Sequence, residues 1–177
     1  MLNAIGAPRP PAEGIVDLLL DCHARIRSFS DLAVRIGETR GAAPAEIAEA
    51  AASVRRYFVE ALPLHARDEE ESVLPRLAGR DPIVDAALVA MHRDHVGHAE
   101  LVDPVVELCA ALVAAPGRHA ELAPALAEAA RRMRAHFEAH LASEEGTIFP
   151  ALGRIARDEQ LRMAEELRGR RGDQSSR

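Results

Sequence analysis

From residue 84 to residue 112 one stripe runs Val84, Leu88, Met91, His95, His98, Val102, Val105, Cys109, Leu112, with steps alternating four and three. Only an α-helix puts residues at that spacing on one face, and a strand, with its period of two, cannot reproduce it. Asp81-Pro82 marks the start of this helix and Ala115-Pro116-Gly117 its end, so it is predicted over 82–115 with a bend at Pro104. Three other stretches keep the same rhythm. Residues 13–37 carry Ile15, Leu19, Cys22, His23, Ile26, Phe29 and Ala33, and Gly37 and Gly41 stop the pattern. Residues 44–77 carry Ile47, Ala51, Val54, Phe58, Leu62, His65, Glu69 and Val73, with Pro44 in the first turn and Pro63 as an expected kink. Residues 119–150 carry Leu122, Leu126, Ala129, Met133, His136 or Phe137, His140, Glu144 and Ile148.

Long helices joined by short connections pack as antiparallel neighbours. The predicted fold is therefore all-α: an up-down-up-down four-helix bundle over 13–152, with a shorter fifth helix at 153–168. Residues 1–12 and 169–177 lack periodicity and are expected to be flexible ends. The composition agrees. The 177 residues include 35 Ala, aromatics make up only 3%, and there is no Trp, which favours close-packed helices over sheets.

Charge and cysteine usage narrow the function classes. All 22 basic residues are Arg, the net charge is −6 and the isoelectric point about 5.8. A mildly acidic chain lacks the basic face that phosphate contacts need, so no nucleic-acid partner is expected. No apolar run reaches the ~18–20 residues of a membrane span, and no charged-then-apolar leader is evident, so a cytoplasmic protein without a membrane partner is expected. Cys22 and Cys109 lie far apart and read as reduced, buried thiols.

The informative residues are the polar ones that interrupt the apolar stripes: His23 in the first helix, His65 and Glu69 in the second, His95 and His98 in the third, His140 and Glu144 in the fourth. A buried carboxylate without a partner costs several kcal/mol, so such groups are paired or bind metal. His and Glu four residues apart project from one helix face a turn apart, and both can reach one cation. The segment from His65 through Glu69, Glu70 and Pro75 to Leu77 has the same offsets as the segment from His140 through Glu144, Glu145 and Pro150 to Leu152. Two repeated hairpins follow, each offering one His from its first helix and a His-x-x-x-Glu from its second. A duplicated set of imidazoles and carboxylates suits two metal ions. The donors are borderline-hard, suited to iron, manganese or zinc, and no thiolate set argues for a soft metal. Ferritin-like sites use Glu-x-x-His and zincins His-Glu-x-x-His, and neither occurs here.

These residues resemble the hemerythrin-like, or HHE cation-binding, domain. The matching elements are Asp21-Cys22-His23, His65-x-x-x-Glu69-Glu70 with Pro75, Asp94-His95, and His140-x-x-x-Glu144-Glu145 with Pro150, within residues 14–152. The resemblance implies a four-helix bundle holding a non-haem di-iron centre. It implies His23 and His65 on one iron, His95 and His140 on the other, and Glu69 and Glu144 as bridges. Oxygen-carrying members have a second His four residues from the one on the third helix, whereas Met91 and Ala99 stand there in this chain. His98, on the same stripe, is the alternative extra ligand, and His92 lies nearer the edge. The expected function is to bind or sense dioxygen or a related small molecule (nitric oxide, peroxide), or to buffer iron. A di-iron enzyme with peroxidase-, catalase- or oxidase-like activity is the alternative. An unidentified protein partner and a homodimer are further expectations. Of the remaining groups, His119 is expected at the surface, and no role is expected for His136. Glu70, Glu71 and Glu145, and the Arg131, Arg132 and Arg134 cluster, are expected on solvated faces. Tyr57 is expected in core packing.

Overall fold

The computed structural model describes residues 14–172, and they are all-helical, without strands among them. Five helices succeed one another: α1 (Ile15–Glu38), α2 (residues 44–77), α3 (Pro82–Ala114), α4 (residues 119–152) and α5 (Arg157–Gly172). The expected flexible arm 1–12 and the last residues, 173–177, lie outside the described residues.

The predicted ends of the first four helices hold to within two residues. The fifth helix differs. It begins at Arg157, not 153, and continues through the stretch 169–172 that was expected to be flexible. Its start is explained by Asp158 and Glu159 in the first turn, which complement the positive end of the helix dipole. Its far end is held by ion pairs of Arg170 and Arg171 to Asp68, 102 and 103 residues away in sequence.

The proline positions have a specific structural answer. Pro63, Pro75 and Pro150 each follow a widened π-type turn: Tyr57–Ala61, Glu69–Val73 and Glu144–Ile148. In each, the residue before the proline donates its N–H five residues back: Leu62 to Tyr57, Leu74 to Glu69, Phe149 to Glu144. Proline has no N–H and its ring crowds the carbonyl four residues earlier. Widening the preceding turn moves that carbonyl aside without ending the helix. Pro104 and Pro124 sit inside α3 and α4 with helix on both sides.

The described residues fall into two compact units. One comprises Arg25–Leu62 and Gly97–Glu138. Its interior holds Ile26, Leu32, Ile36, Ile47, Val54, Phe58, Val105, Leu112, Leu126, Met133 and Phe137, all buried. Phe29 stacks on Tyr57 with ring centroids 4.2 Å apart, so Tyr57 serves packing as expected. His119 is half-buried rather than a surface residue: its Nε2–H donates to the Ile36 carbonyl (2.7 Å), satisfying a backbone acceptor in the last turn of α1. Arg131 and Arg134 pair with Glu38 (2.7 Å) and Asp31 (3.2 Å) at the surface, where such pairs contribute ~0–1 kcal/mol.

In this unit α1 and α4 approach so closely that a Cβ on Gly37 would lie 2.5 Å from the Ala127 backbone nitrogen. Gly37→Ala therefore sets two effects against each other. Alanine gains about 0.8–1 kcal/mol of helix propensity. Forcing a methyl into a helix backbone costs about 1–3 kcal/mol. The clash is with main chain, which cannot swing aside, so a net loss of about 1–2 kcal/mol is expected. Urea denaturation checks it; a variant as stable as wild type would refute the close approach.

The second unit comprises residues 14–24, 63–96 and 139–172. Ile15, Leu19, Val73, Leu77, Val84, Leu88, Met91, Ile148, Phe149, Leu152, Met163 and Leu167 form its core. α5 contributes Met163, Ala164 and Leu167. All six residues named as inner metal ligands belong to this unit.

Candidate metal centre

Two of the widened turns carry the site. Glu69 opens one and Glu144 the other, each four residues after a histidine of the same helix. His65 and Glu69 come from α2, His140 and Glu144 from α4, His23 from α1 and His95 from α3. All but His95 are buried, and its side chain is only 6% exposed.

The six residues form two groups that share both carboxylates. His23, His65, Glu69 and Glu144 offer one set of donor atoms, and Glu69, His95, His140 and Glu144 the other. In each set the donor atoms lie within 4.8 Å of one another. His23 Nε2 is 3.2 Å from Glu144 Oε2 and 3.9 Å from Glu69 Oε1. His95 Nε2 is 3.1 Å from Glu69 Oε2, His65 Nε2 3.5 Å from the same atom, and His140 Nε2 3.1 Å from Glu144 Oε1. The imidazole centroids pair as His23 with His65 (5.1 Å) and His95 with His140 (5.2 Å).

These are ion-pair distances rather than well-aligned hydrogen bonds. His23 Nε2, His65 Nε2 and all four oxygens of Glu69 and Glu144 are buried without a hydrogen-bond partner. Unsatisfied buried polar atoms are rare because each costs kcal/mol of lost solvation. Here they gather in two sets, each within 4.8 Å, an arrangement that could hold a cation. The donors are nitrogen and oxygen, which fits a borderline-hard divalent ion. Neither cysteine joins them: no disulfide links the two, Cys22 Sγ accepts from Arg171 (3.1 Å), and burial pushes the Cys109 thiol up to about 12.

Protonation follows the same geometry. Burial opposes charge on His23, but the Glu144 and Glu69 carboxylates outweigh it and push its pKa up to about 9. His95 is pushed up to about 8, burial again being outweighed, chiefly by Glu69. His65 has the opposite balance: burial and neighbouring imidazoles lower it to about 4, so its ring stays neutral at pH 7. The carboxylates separate. Burial and repulsion from Glu69 raise Glu144 to about 7, whereas the surrounding histidines, His65 first, overcome burial and hold Glu69 well below the usual range.

The other candidates fall elsewhere. His98 is in neither group; it packs against His136 (5.4 Å between centroids) and Phe137 (4.9 Å), within the other unit. It lies on the predicted stripe, but its ring meets His136 and Phe137 rather than the donor cluster. His92 is exposed and hydrogen-bonds Glu70 (3.0 Å). Sequence reasoning missed two carboxylates. Glu70 and Glu145, expected on a solvated face, bond the outer nitrogens of His95 and His23, each at 2.8 Å. Their signal was present: the Glu-Glu doublet recurs in both repeats. Asp94 Oδ2 lies 3.5 Å from His140 Nδ1. Asp68, fully buried beside Glu69 in sequence, was also missed. Glu71 pairs with Arg67 (2.9 Å) and Arg170 (3.2 Å) at the surface.

A helical unit with paired His/Glu tetrads and unsatisfied inward-facing donors defines a cation-binding helical domain. The chain belongs to the hemerythrin HHE cation-binding domain family, whose model matches residues 14–152. No curated protein matches it. α5 begins beyond the matched span. None of the described helices is long and apolar enough to cross a membrane.

Proposed function

We propose that this chain holds two non-haem iron ions and uses them to bind or sense dioxygen or a related small molecule, nitric oxide or peroxide, or to buffer iron. The observation that carries the reading is the sharing of Glu69 and Glu144 by two histidine pairs. His23 and His65 would hold one ion and His95 and His140 the other. Two bridging carboxylates would offset repulsion between neighbouring cations. The iron pair, once bound, supplies a redox-active Lewis acid able to take a small oxygen- or nitrogen-containing ligand. The protein's own part is to present neutral imidazole lone pairs, His65 first among them, and to exclude bulk water. Met91, Ile148 and Phe149 are buried in the same unit, the Phe149 ring 4.8 Å from that of His23. Manganese or zinc would fit the same donor set. An antiparallel up-down-up-down order of the four long helices is part of this proposal, supported by the short connections at 39–43, 78–81 and 115–118.

Elemental analysis after anaerobic ferrous loading tests it. Two irons per chain are expected, with near-complete loss in His65→Ala/His140→Ala, because the two substitutions together remove one nitrogen from each tetrad. No iron in the wild type, or undiminished iron in the double variant, would overturn the assignment.

A further inference from the structure

Two of the four inner imidazoles are held from behind by the second glutamate of a doublet. His23 Nδ1 and Glu145 Oε1 are 2.8 Å apart, as are His95 Nδ1 and Glu70 Oε1. A carboxylate only accepts, so in each pair the imidazole Nδ1–H donates. In the neutral ring that a cation requires, the proton is thereby fixed on Nδ1 and the lone pair left on Nε2, the atom that lies 3.2 Å from Glu144 for His23 and 3.1 Å from Glu69 for His95. By contrast, His65 Nδ1 is buried without a hydrogen bond, and its ring is placed by the helix that also carries Glu69.

The connectivity is crossed between the repeats. Glu70 follows Glu69 in α2 and holds a histidine of α3. Glu145 follows Glu144 in α4 and holds a histidine of α1. In each doublet the first glutamate turns into the cluster and the second turns to the histidine of the other hairpin. Charge points the same way. Glu69 and Glu144 alone carry −2, against +4 for two divalent cations. Glu70 and Glu145 bring the carboxylate total to −4, at hydrogen-bond distance from the ligands rather than from the ions.

We propose that Glu70 and Glu145 are positioning residues, one for each cation. Glu145 orients His23 and so serves the ion shared with His65; Glu70 orients His95 and so serves the ion shared with His140. This rests on the two-cation reading above. Carboxylates behind metal-bound histidines typically contribute 10–100-fold to metal affinity. The expected effect is therefore selective: each substitution loosens one ion and spares the other.

The test is anaerobic ferrous titration of the full chain against a competing chelator, for wild type, Glu70→Ala, Glu145→Ala and the double variant, with Glu70→Gln and Glu145→Gln beside them. Each Ala variant should lose about 10–100-fold in affinity for one of its two ions, and the double variant for both. Each Gln variant keeps an acceptor oxygen without the charge and should recover part of the loss. A merely structural role would show elsewhere. It would lower the melting temperature of the cation-free variants without singling out one ion, and glutamine would not rescue binding selectively. Both glutamates are about 30% exposed, so the cation-free proteins should melt close to wild type. If wild type holds two ions and the variants hold both as tightly, this proposal fails and the metal reading stands. If every variant loosens both ions equally, the one-to-one assignment fails. If wild type holds none, both fail.

Discussion

Saturating ferrous ion, added anaerobically, is expected to raise the melting temperature of this chain by roughly 8–16 °C. A ligand at about 1,000 times its dissociation constant stabilises the folded state by about 4 kcal/mol. For a chain of this size each kcal/mol shifts melting by about 2–4 °C. The shift should be larger at pH 8 than at pH 6.5, and the sign follows from the donor cluster. In the cation-free protein His23 and His95, with pKa values near 9 and 8, bind protons that the unfolded chain releases around 6.5. Their stabilising contribution is complete below 6.5 and is lost as the pH rises through 8 to 9. The cation-free melting temperature should therefore fall across that window as far as these two groups are concerned. A cation must displace the same protons, so its uptake releases them and tightens as the pH rises. The two trends together widen the gap between loaded and unloaded protein. Scanning calorimetry with and without ferrous ion at the two pH values decides it. A shift that shrinks at pH 8, or none at either pH, would show that protons and cations do not compete for these histidines.

Arg170→Ala/Arg171→Ala is expected to lower stability by about 3 kcal/mol, without any change to the candidate metal ligands themselves. Asp68 is fully buried, and its two oxygens accept from Arg170 Nη1 (2.8 Å) and Arg171 Nη2 (2.7 Å). Burial raises its pKa, and the two guanidiniums act against that rise. Removing both leaves a carboxyl buried beside Glu69 with its ion-pair partners gone. Removing one side of a buried ion pair costs about 3–5 kcal/mol, and we take the lower end because Arg171 is itself a third exposed. The same substitutions release Ser72 Oγ from Arg170 (2.7 Å) and Cys22 Sγ from Arg171 (3.1 Å), loosening α5 from the segments next to Glu69 and His23. Adding Asp68→Ala to the double variant should recover part of the loss, since no uncompensated charge then remains inside. Urea denaturation of the three proteins measures this. A double variant within 0.5 kcal/mol of wild type, the range of ordinary surface substitutions, would mean that the α5 clamp contributes nothing.

The helices and the inner six donors were legible in the sequence, for a reason particular to helices. A spacing of three and four determines which residues share a face whatever that face meets, so His65 with Glu69 and His140 with Glu144 are paired by the backbone alone. The repeat of the doublet and its proline at identical offsets then marked α2 and α4 as equivalent. Even so, the widened turns at Glu69–Val73 and Glu144–Ile148 were not foreseen. Proline announces a disturbed helix but does not say whether the chain kinks, ends or widens.

What only the tertiary structure decided are the partnerships across helices. The stripe of α3 placed His95 and His98 on one face; neighbouring helices brought His95 to Glu69 and Glu70, and His98 to His136 and Phe137. Glu145 meets His23 across 122 residues, and Arg171 meets Asp68 across 103. Read locally, those charges look like a solvated helix face and a polar tail. Periodicity specifies the face a side chain leaves from, whereas the helix waiting there is set by how long elements dock, and no local spacing encodes that.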